Sequence, residues 1–301
     1  MNKIDLFSQV STNNISCNRK NYYTDFFKHS LKSISFILPS FIILIIFIIG
    51  FITHEFIDEN SYMNIDLTKS FIKPCLEYPF GTNEFGQNQF FIIMNAAYKT
   101  LLLAIIATFI DLILGIFIGC FWAKNKNFSK FMFVIKNLFD NTPMIFFLII
   151  ISLIFKTGFL PLLIILILFQ WIDFAFITRN NIIAVNSKDY NKVSSLYKVP
   201  FYKIIINNYL PSLLPILFNN VALCVSKIIN LEVTVSYFGF TIGGKSDSIG
   251  TLIYKSLSNN TYFLHLYIFL IPFIILFIIN LCVFIISKTI SKIFTKEEQG
   301  C

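Results

Sequence analysis

Charge is what this 301-residue chain has least of: 13% of its residues are charged against 56% hydrophobic, at a mean hydropathy of +0.72. A water-facing surface of ordinary polarity cannot be built from that composition, which excludes a soluble globular protein. Catalytic signatures are missing too. No G-x-x-x-x-G-K-[ST] occurs, so the chain has no phosphate-cradling loop and cannot hydrolyse nucleotide in the P-loop manner; GxSxG, HExxH and a catalytic paired-carboxylate constellation are also absent. The three histidines, His29, His54 and His265, lie far apart in a tail or at the edges of apolar runs, where they read as interfacial or structural groups. Six cysteines include no CxxC pair, and the terminal Cys301 lacks the residues of a prenylation box.

What is present in quantity is long apolar sequence. Runs at 33–53, 98–122, 143–159, 160–178, 210–232 and 263–286 each approach the roughly 20 residues a helix needs to cross the hydrocarbon. The third and fourth could be one over-long helix, but Thr157 and Gly158 before Pro161 read as a turn, with proline opening the next helix. An all-α integral membrane protein of six transmembrane helices is therefore expected. The first run begins too far into the chain, and is too long, for a cleavable signal peptide.

Basic residues set the expected orientation. With the N-terminus inside, the inner segments hold Lys3, Arg19, Lys20, Lys28 and Lys32, then Lys124, Lys126, Lys130 and Lys136, then Arg179, Lys188, Lys192, Lys198 and Lys203, then Lys288, Lys292 and Lys296. The outer loops hold only Lys69, Lys73, Lys245 and Lys255. That bias places both termini in the cytoplasm. It divides the chain into a cytoplasmic segment 1–32, a first helix and outer loop 33–97, a transmembrane domain 98–286 and a basic cytoplasmic tail 287–301 suited to anionic headgroups. The net charge of +8 is thus topology and lipid contact, and no nucleic-acid partner is expected. Cys75 alone falls outside, so no intrachain disulfide is expected there.

Ionisable residues within apolar runs are expensive and default to a pathway or interhelical role. Here they are Asp111, Asp173, Lys227 and Glu232. Gly115 and Gly119 form a small-xxx-small step suited to close helix packing.

Two polar stretches carry further pattern. In the outer loop, Tyr78 to Asn88 combines Pro79, Gly81 and Gly86 with Asx-type side chains, an ordered turn leading into the second helix. From Trp171 to Pro211 the chain reads as a polar interruption, within which Val193, Leu196, Tyr197, Phe201, Ile204 and Ile205 recur at helical spacing. That is an amphipathic helix outside the bilayer, whose apolar face must be buried against lipid, its own bundle or another protein.

On these residues the chain resembles the permease subunits of ABC importers of the oligopeptide/dipeptide group, the shorter of the two permease types. The family's outer loop runs P-L-G-T-D-x-x-G-R-D; Pro79, Gly81, Thr82 and Gly86 match, while Asn83, Gln87 and Asn88 replace Asp, Arg and Asp. Its inner loop runs from W-x-x-x-A-R-x-x-R through D/E-Y-x-E-A-A-x-x-x-G to I-L-P, and Trp171, Ala175, Arg179, Asp189, Tyr190, Leu210 and Pro211 fit without a gap. Glu232, Ser236, Phe238 and Gly239 fit E-x-x-L-S-F-L-G, and Pro272 with Asn280-Leu281 fits a pattern in the last span. The Glu-Ala-Ala core has become Lys192-Val193-Ser194 and its Gly Lys198, and the family's acidic ending is missing. Arg19 and Arg179 are the only arginines, so the retention of Arg179 is informative.

The resemblance implies a type I ABC importer permease-like bundle in the bacterial plasma membrane, half of a translocation pore and not itself an enzyme. Its implied partners are a second homologous permease, two cytoplasmic ATPase subunits that use ATP and Mg, and an external substrate-binding protein; this chain would bind no cofactor or metal. A coupling helix near 190–200 would dock on an ATPase subunit through Val193, Leu196 and Tyr197, with Asp189, Tyr190, Phe201, Leu210 and Pro211 in the same element. Trp171, Arg179, Gly81, Thr82 and Gly86 would anchor the loops. An ion-coupled secondary carrier, kept open by Asp111 and Asp173, and a permease that assembles without transporting are the alternatives.

Overall fold

In the computed structural model, residues 33–57, 62–143, 146, 147, 150, 154, 158–186, 209–238, 247–258 and 263–300 are described. Among them the chain is helical, with no strand: α1 (Ile34–Glu55), α2 (Gln89–Lys124), α3 (Lys126–Asn141), α4 (Phe159–Asn186), α5 (Leu210–Tyr237), α6 (Ile249–Ser258) and α7 (Leu266–Gly300). Five of these are long and apolar enough to cross a membrane: α1, α2, α4, α5 and α7. Most of the expected third run, 143–159, lies outside the described residues.

The bundle is organised around α2, which packs on every other helix. Its 36 residues span about 54 Å, well beyond a hydrocarbon core of about 30 Å. The apolar run predicts a start near residue 98, but the helix starts at Gln89, because the Asn88 side chain accepts the Phe90 amide and caps it there. Residues 89–97 therefore belong to the helix and not to the outer loop. The same overshoot occurs at the other end of the chain, where α7 runs through 287–300 as helix with no break where a separate tail was expected.

The tightest seam joins α2 to α4, which run parallel: Gly115 lies against Phe174, and Gly119 against Ala175 and Thr178. A Cβ on Gly119 would come within 2.6 Å of the Ala175 carbonyl oxygen, and one on Gly115 would overlap the Phe174 Cβ. Small residues here let two backbones touch, the main source of helix association where lipid removes the hydrophobic drive. Gly115→Leu is expected to force the seam apart and lower stability by about 1–3 kcal/mol, read as an earlier thermal transition in detergent. A transition unchanged from the native chain would refute the seam.

Two expectations about helix placement are corrected. Lys124, Lys126, Lys130 and Lys136 predict an inner segment between the second and third runs, yet residues 126–141 form α3, capped by the Asn125 side chain. α3 runs antiparallel along α4, with Phe133 against Phe176, Lys136 against Asp173 and Phe139 against Phe169. Lys136 is thus inside the bundle, alongside the middle of a spanning helix. Trp171 and Arg179, assigned to a polar loop, lie in the unbroken helix α4, whose 28 residues carry it roughly 42 Å. The polar residues from Asp173 to Asn186 do not end a helix that packs against α2 along its length.

A polar ladder closes α5 on α7. Ser226 donates to Asn280 (2.7 Å), Asn280 to Asn230 (3.2 Å) and Ser287 to Asn219 (3.0 Å). Such bonds hold helices together where the alternative is an unsatisfied polar group in lipid.

Candidate functional site

At the end of the bundle that carries the N-terminus of α2, the segment 62–88 folds into a compact cap around Thr82. The Thr82 hydroxyl accepts the Ile72 amide (2.8 Å) and donates to the Lys69 carbonyl (2.6 Å), and its own carbonyl accepts the Tyr267 hydroxyl of α7 (2.9 Å). Gly81 and Gly86 have φ of +75° and +73°, conformations that glycine adopts without penalty. They are also crowded: a Cβ on Gly81 would lie 2.6 Å from the Ile72 carbonyl oxygen, and one on Gly86 would overlap that of Asp66. Asp66 caps the turn Leu67–Lys69, where the Thr68 hydroxyl and then Lys69 hold its carboxyl below the ordinary carboxylate value.

The departures from the family pattern in this cap complement one another. Asn83 accepts the Phe85 and Gln87 amides (3.0 and 2.9 Å), and its amide donates to the Gln87 side chain (2.8 Å), which in turn donates to the Met63 carbonyl (2.6 Å). A neutral Asn-Gln pair thus stands where the family places Asp and Arg at the same spacing.

Glu232 on α5 is 1% exposed and joins three helices. It accepts the Ser236 hydroxyl (2.8 Å) and, more weakly, that of Thr100 on α2 (3.5 Å). It also sits at the N-terminus of α6, where a Cβ on Gly250 would lie 3.0 Å from its Oε1. That terminus is closed by Ser248 and Thr251, each accepting the other's amide (3.3 and 2.8 Å). Glu232 thus links α5, α2 and α6 at a helix N-terminus, where orphan amides and the helix dipole favour an acceptor.

Asp173 on α4 joins two other helices. Lys227 of α5 lies 2.9 Å from it and Lys136 of α3 lies 3.3 Å away, while Lys136 also pairs with Asp140 (3.1 Å). Asp173 and Lys227 both border two cavities, of about 400 and 130 Å³. Asp111 on α2 contrasts with this. It is fully buried, and neither carboxylate oxygen has a hydrogen-bond partner.

Trp171, Ala175 and Arg179 lie on one face of α4, against Trp122 of α2 and Met132 of α3. The Arg179 guanidinium lies over Phe133 (4.5 Å) and Trp122 (5.8 Å) and donates to Asn180 (2.9 Å). It therefore clamps the far end of α4 to α2 and α3 by cation–π contact. Below the clamp, the Tyr209 hydroxyl donates to Asn186, so the last residue of α4 and the residue before α5 are tied together. Leu210 is half-buried, and Pro211 stands in the first turn of α5, where its missing N–H costs nothing. The residues between the tied ends, including Asp189, Tyr190, Val193, Leu196, Tyr197 and Phe201, lie outside the described residues.

Several polar groups escaped the sequence reading: Asn219, Ser226 and Asn230 of the α5–α7 ladder, Thr100, and Lys136 as a bundle residue. Their signal was available as helical spacing within α5 and as the apolar period Phe128, Met132, Ile135, Phe139 in α3.

Residues 111–295 match the family described as binding-protein-dependent transport system inner membrane component. The chain is 28% identical over 273 residues to the oligopeptide transport system permease protein AmiD of Streptococcus pneumoniae, a match that covers 90% of this chain and 88% of that one. It is 24% identical to the dipeptide transport system permease protein DppC of Bacillus subtilis, covering 70% and 66%. With the oligopeptide transport system permease protein OppC of Lactococcus lactis subsp. lactis the identity is 22%, covering 78% and 81%.

Proposed function

The chain belongs to the family of binding-protein-dependent transport system inner membrane components, and from that footing we propose that it forms one half of the translocation pore of an ATP-driven importer of short peptides. The match through 111–295 carries the reading, and the relatives named for oligopeptide and dipeptide transport supply the substrate class. The chain itself binds no cofactor. Two cytoplasmic ATPase subunits supply the hydrolysis, a second permease completes the pore and an external binding protein delivers the peptide. Both termini face the cytoplasm, following the lysine bias.

The mechanical link is the segment between Asn186 and Tyr209. In this reading its amphipathic helix seats Val193, Leu196 and Tyr197 in a cleft on an ATPase subunit. The Tyr209–Asn186 bond supports this role, because it couples the end of α4 to the start of α5, between which the segment lies. The Arg179 clamp then passes the motion to α2 and α3, and alternating access follows.

Copurification tests the assignment. The tagged chain, extracted in mild detergent, is expected to bring down an ATPase subunit and a second permease, with nucleotide hydrolysis that disappears when the ATPase subunit is stripped away. A chain that purifies without partners and drives uptake from an ion gradient alone would return the reading to a secondary carrier. Peptide uptake into proteoliposomes holding the whole complex separates an active permease from one that only assembles.

A further inference from the structure

The Asp173–Lys227 bridge stands as a partition. The larger cavity, about 400 Å³, is walled on one side by the rings of Phe139, Phe147 and Phe169, mutually 5.3–5.7 Å apart, and on the other by Asn230 and Thr234. The smaller, about 130 Å³, extends past Cys224 and Asn220. Gln170, Asp173 and Lys227 line both. Opening the bridge would join the two spaces.

We propose that this bridge is a binding subsite for short peptides with both termini free, and that the peptide opens the partition by taking over its two charges. The ligand's ammonium replaces the Lys227 ammonium on Asp173, and its carboxylate replaces the Asp173 carboxylate on Lys227. The balance of charge decides which ligands can do this. Lys227 and Asp173 are 57% and 44% exposed, so their bridge is worth no more than about 1 kcal/mol and opens readily, and a zwitterion is the ligand that replaces both partners at once. A ligand with a positive charge alone leaves Lys227 to solvent, and one with a negative charge alone leaves Asp173 to Lys136, so each makes one pairing where a zwitterion makes two. Lys136 makes the exchange more favourable, since it remains on Asp173 and Asp140 and keeps the acidic side in place while Lys227, the more exposed partner, swings away. The larger cavity falls in the range of ligand pockets, roughly 300–1,000 Å³. A dipeptide, about 7 Å long when extended, reaches from one residue to the other once the bridge opens.

The subsite deepens the importer reading and rests on it, so its test uses the intact permease–ATPase complex with the external binding protein left out. Radiolabelled dialanine is measured by equilibrium binding, with N-acetyl-dialanine (anionic), dialanine amide (cationic) and N-acetyl-dialanine amide (neutral) as competitors. Saturable dialanine binding is expected, with each blocked analogue competing about three- to fivefold more weakly. Asp173→Asn with Lys227→Gln is expected to weaken binding at least tenfold. Asp247→Asn with Lys255→Gln, which neutralises a bridge of the same kind near α6 (2.7 Å), is expected to leave it unchanged. Competition on the native complex needs no variant to fold. No saturable binding, equal competition by the four compounds, or binding indifferent to the Asp173/Lys227 pair would each overturn the proposal. A complex that holds its ATPase and imports dipeptides yet gives one of those results fails the subsite alone; a chain that captures no ATPase fails the importer reading.

Discussion

Leu196→Asp is expected to abolish peptide uptake while leaving the chain inserted and paired with its sister permease. In the proposed mechanism Leu196 fills an apolar pocket on the ATPase subunit. Its burial contributes about 1.5–3 kcal/mol, and an aspartate in its place brings an unpaired charge into an apolar contact. Losing the burial term alone weakens docking at least tenfold, since each 1.4 kcal/mol is a factor of ten. Uptake and binding-protein-stimulated ATP turnover should fall together, because both require the same contact. Independently of Leu196, α4 and α5 are held by the Asp173–Lys227 bridge, the Tyr209–Asn186 bond and their packing on α2. Lys192→Glu, which restores the family's residue, should be tolerated. Uptake unchanged in a Leu196→Asp strain with normal protein levels would mean that the helix rests on the membrane.

Hydropathy made the spanning helices legible because a 20-residue apolar run has few other uses. It also set errors at the boundaries. The run predicts where a helix leaves lipid, while hydrogen bonding decides where it ends, so α2 reaches back to its Asn88 cap and α4 continues through Asp173 and Arg179 to Asn186. α3 was missed for the same reason. A helix buried on one side of a bundle keeps its polar residues, and average hydropathy cancels what periodicity would reveal. The motif residues were legible as positions only. Gly81, Thr82 and Gly86 stood out in the sequence, but the neutral Asn83–Gln87 pair that accounts for two of the departures needed coordinates. Among the four ionisable residues, the sequence could not separate a bridge (Asp173, Lys227), a helix-terminus anchor (Glu232) and a carboxyl without a partner (Asp111), because that distinction lies in which neighbours other helices bring.

Glu232 offers the sharpest separation of architecture from transport. Glu232→Ala removes the acceptor shared by Ser236, Thr100 and the N-terminus of α6 in a site 1% exposed. Each buried donor left unsatisfied costs about 1–3 kcal/mol, so with two hydroxyls and the helix end affected the loss should exceed that of any single contact in the bundle. α6 would lose its tether to α5, leaving the Thr100 hydroxyl, which accepts the Ile249 amide (3.2 Å), as its polar tie to α2. The expected result is a lower thermal transition for the purified complex and faster proteolysis at residues 247–258, before any change in ATPase docking. Glu232→Gln keeps a carbonyl oxygen for Ser236 and should recover most of the stability, since the position needs an acceptor more than it needs a charge. Were Glu232 a pathway residue, the order would reverse: Glu232→Ala would leave the melting transition in place and alter uptake, and Glu232→Gln would be as damaging as Glu232→Ala.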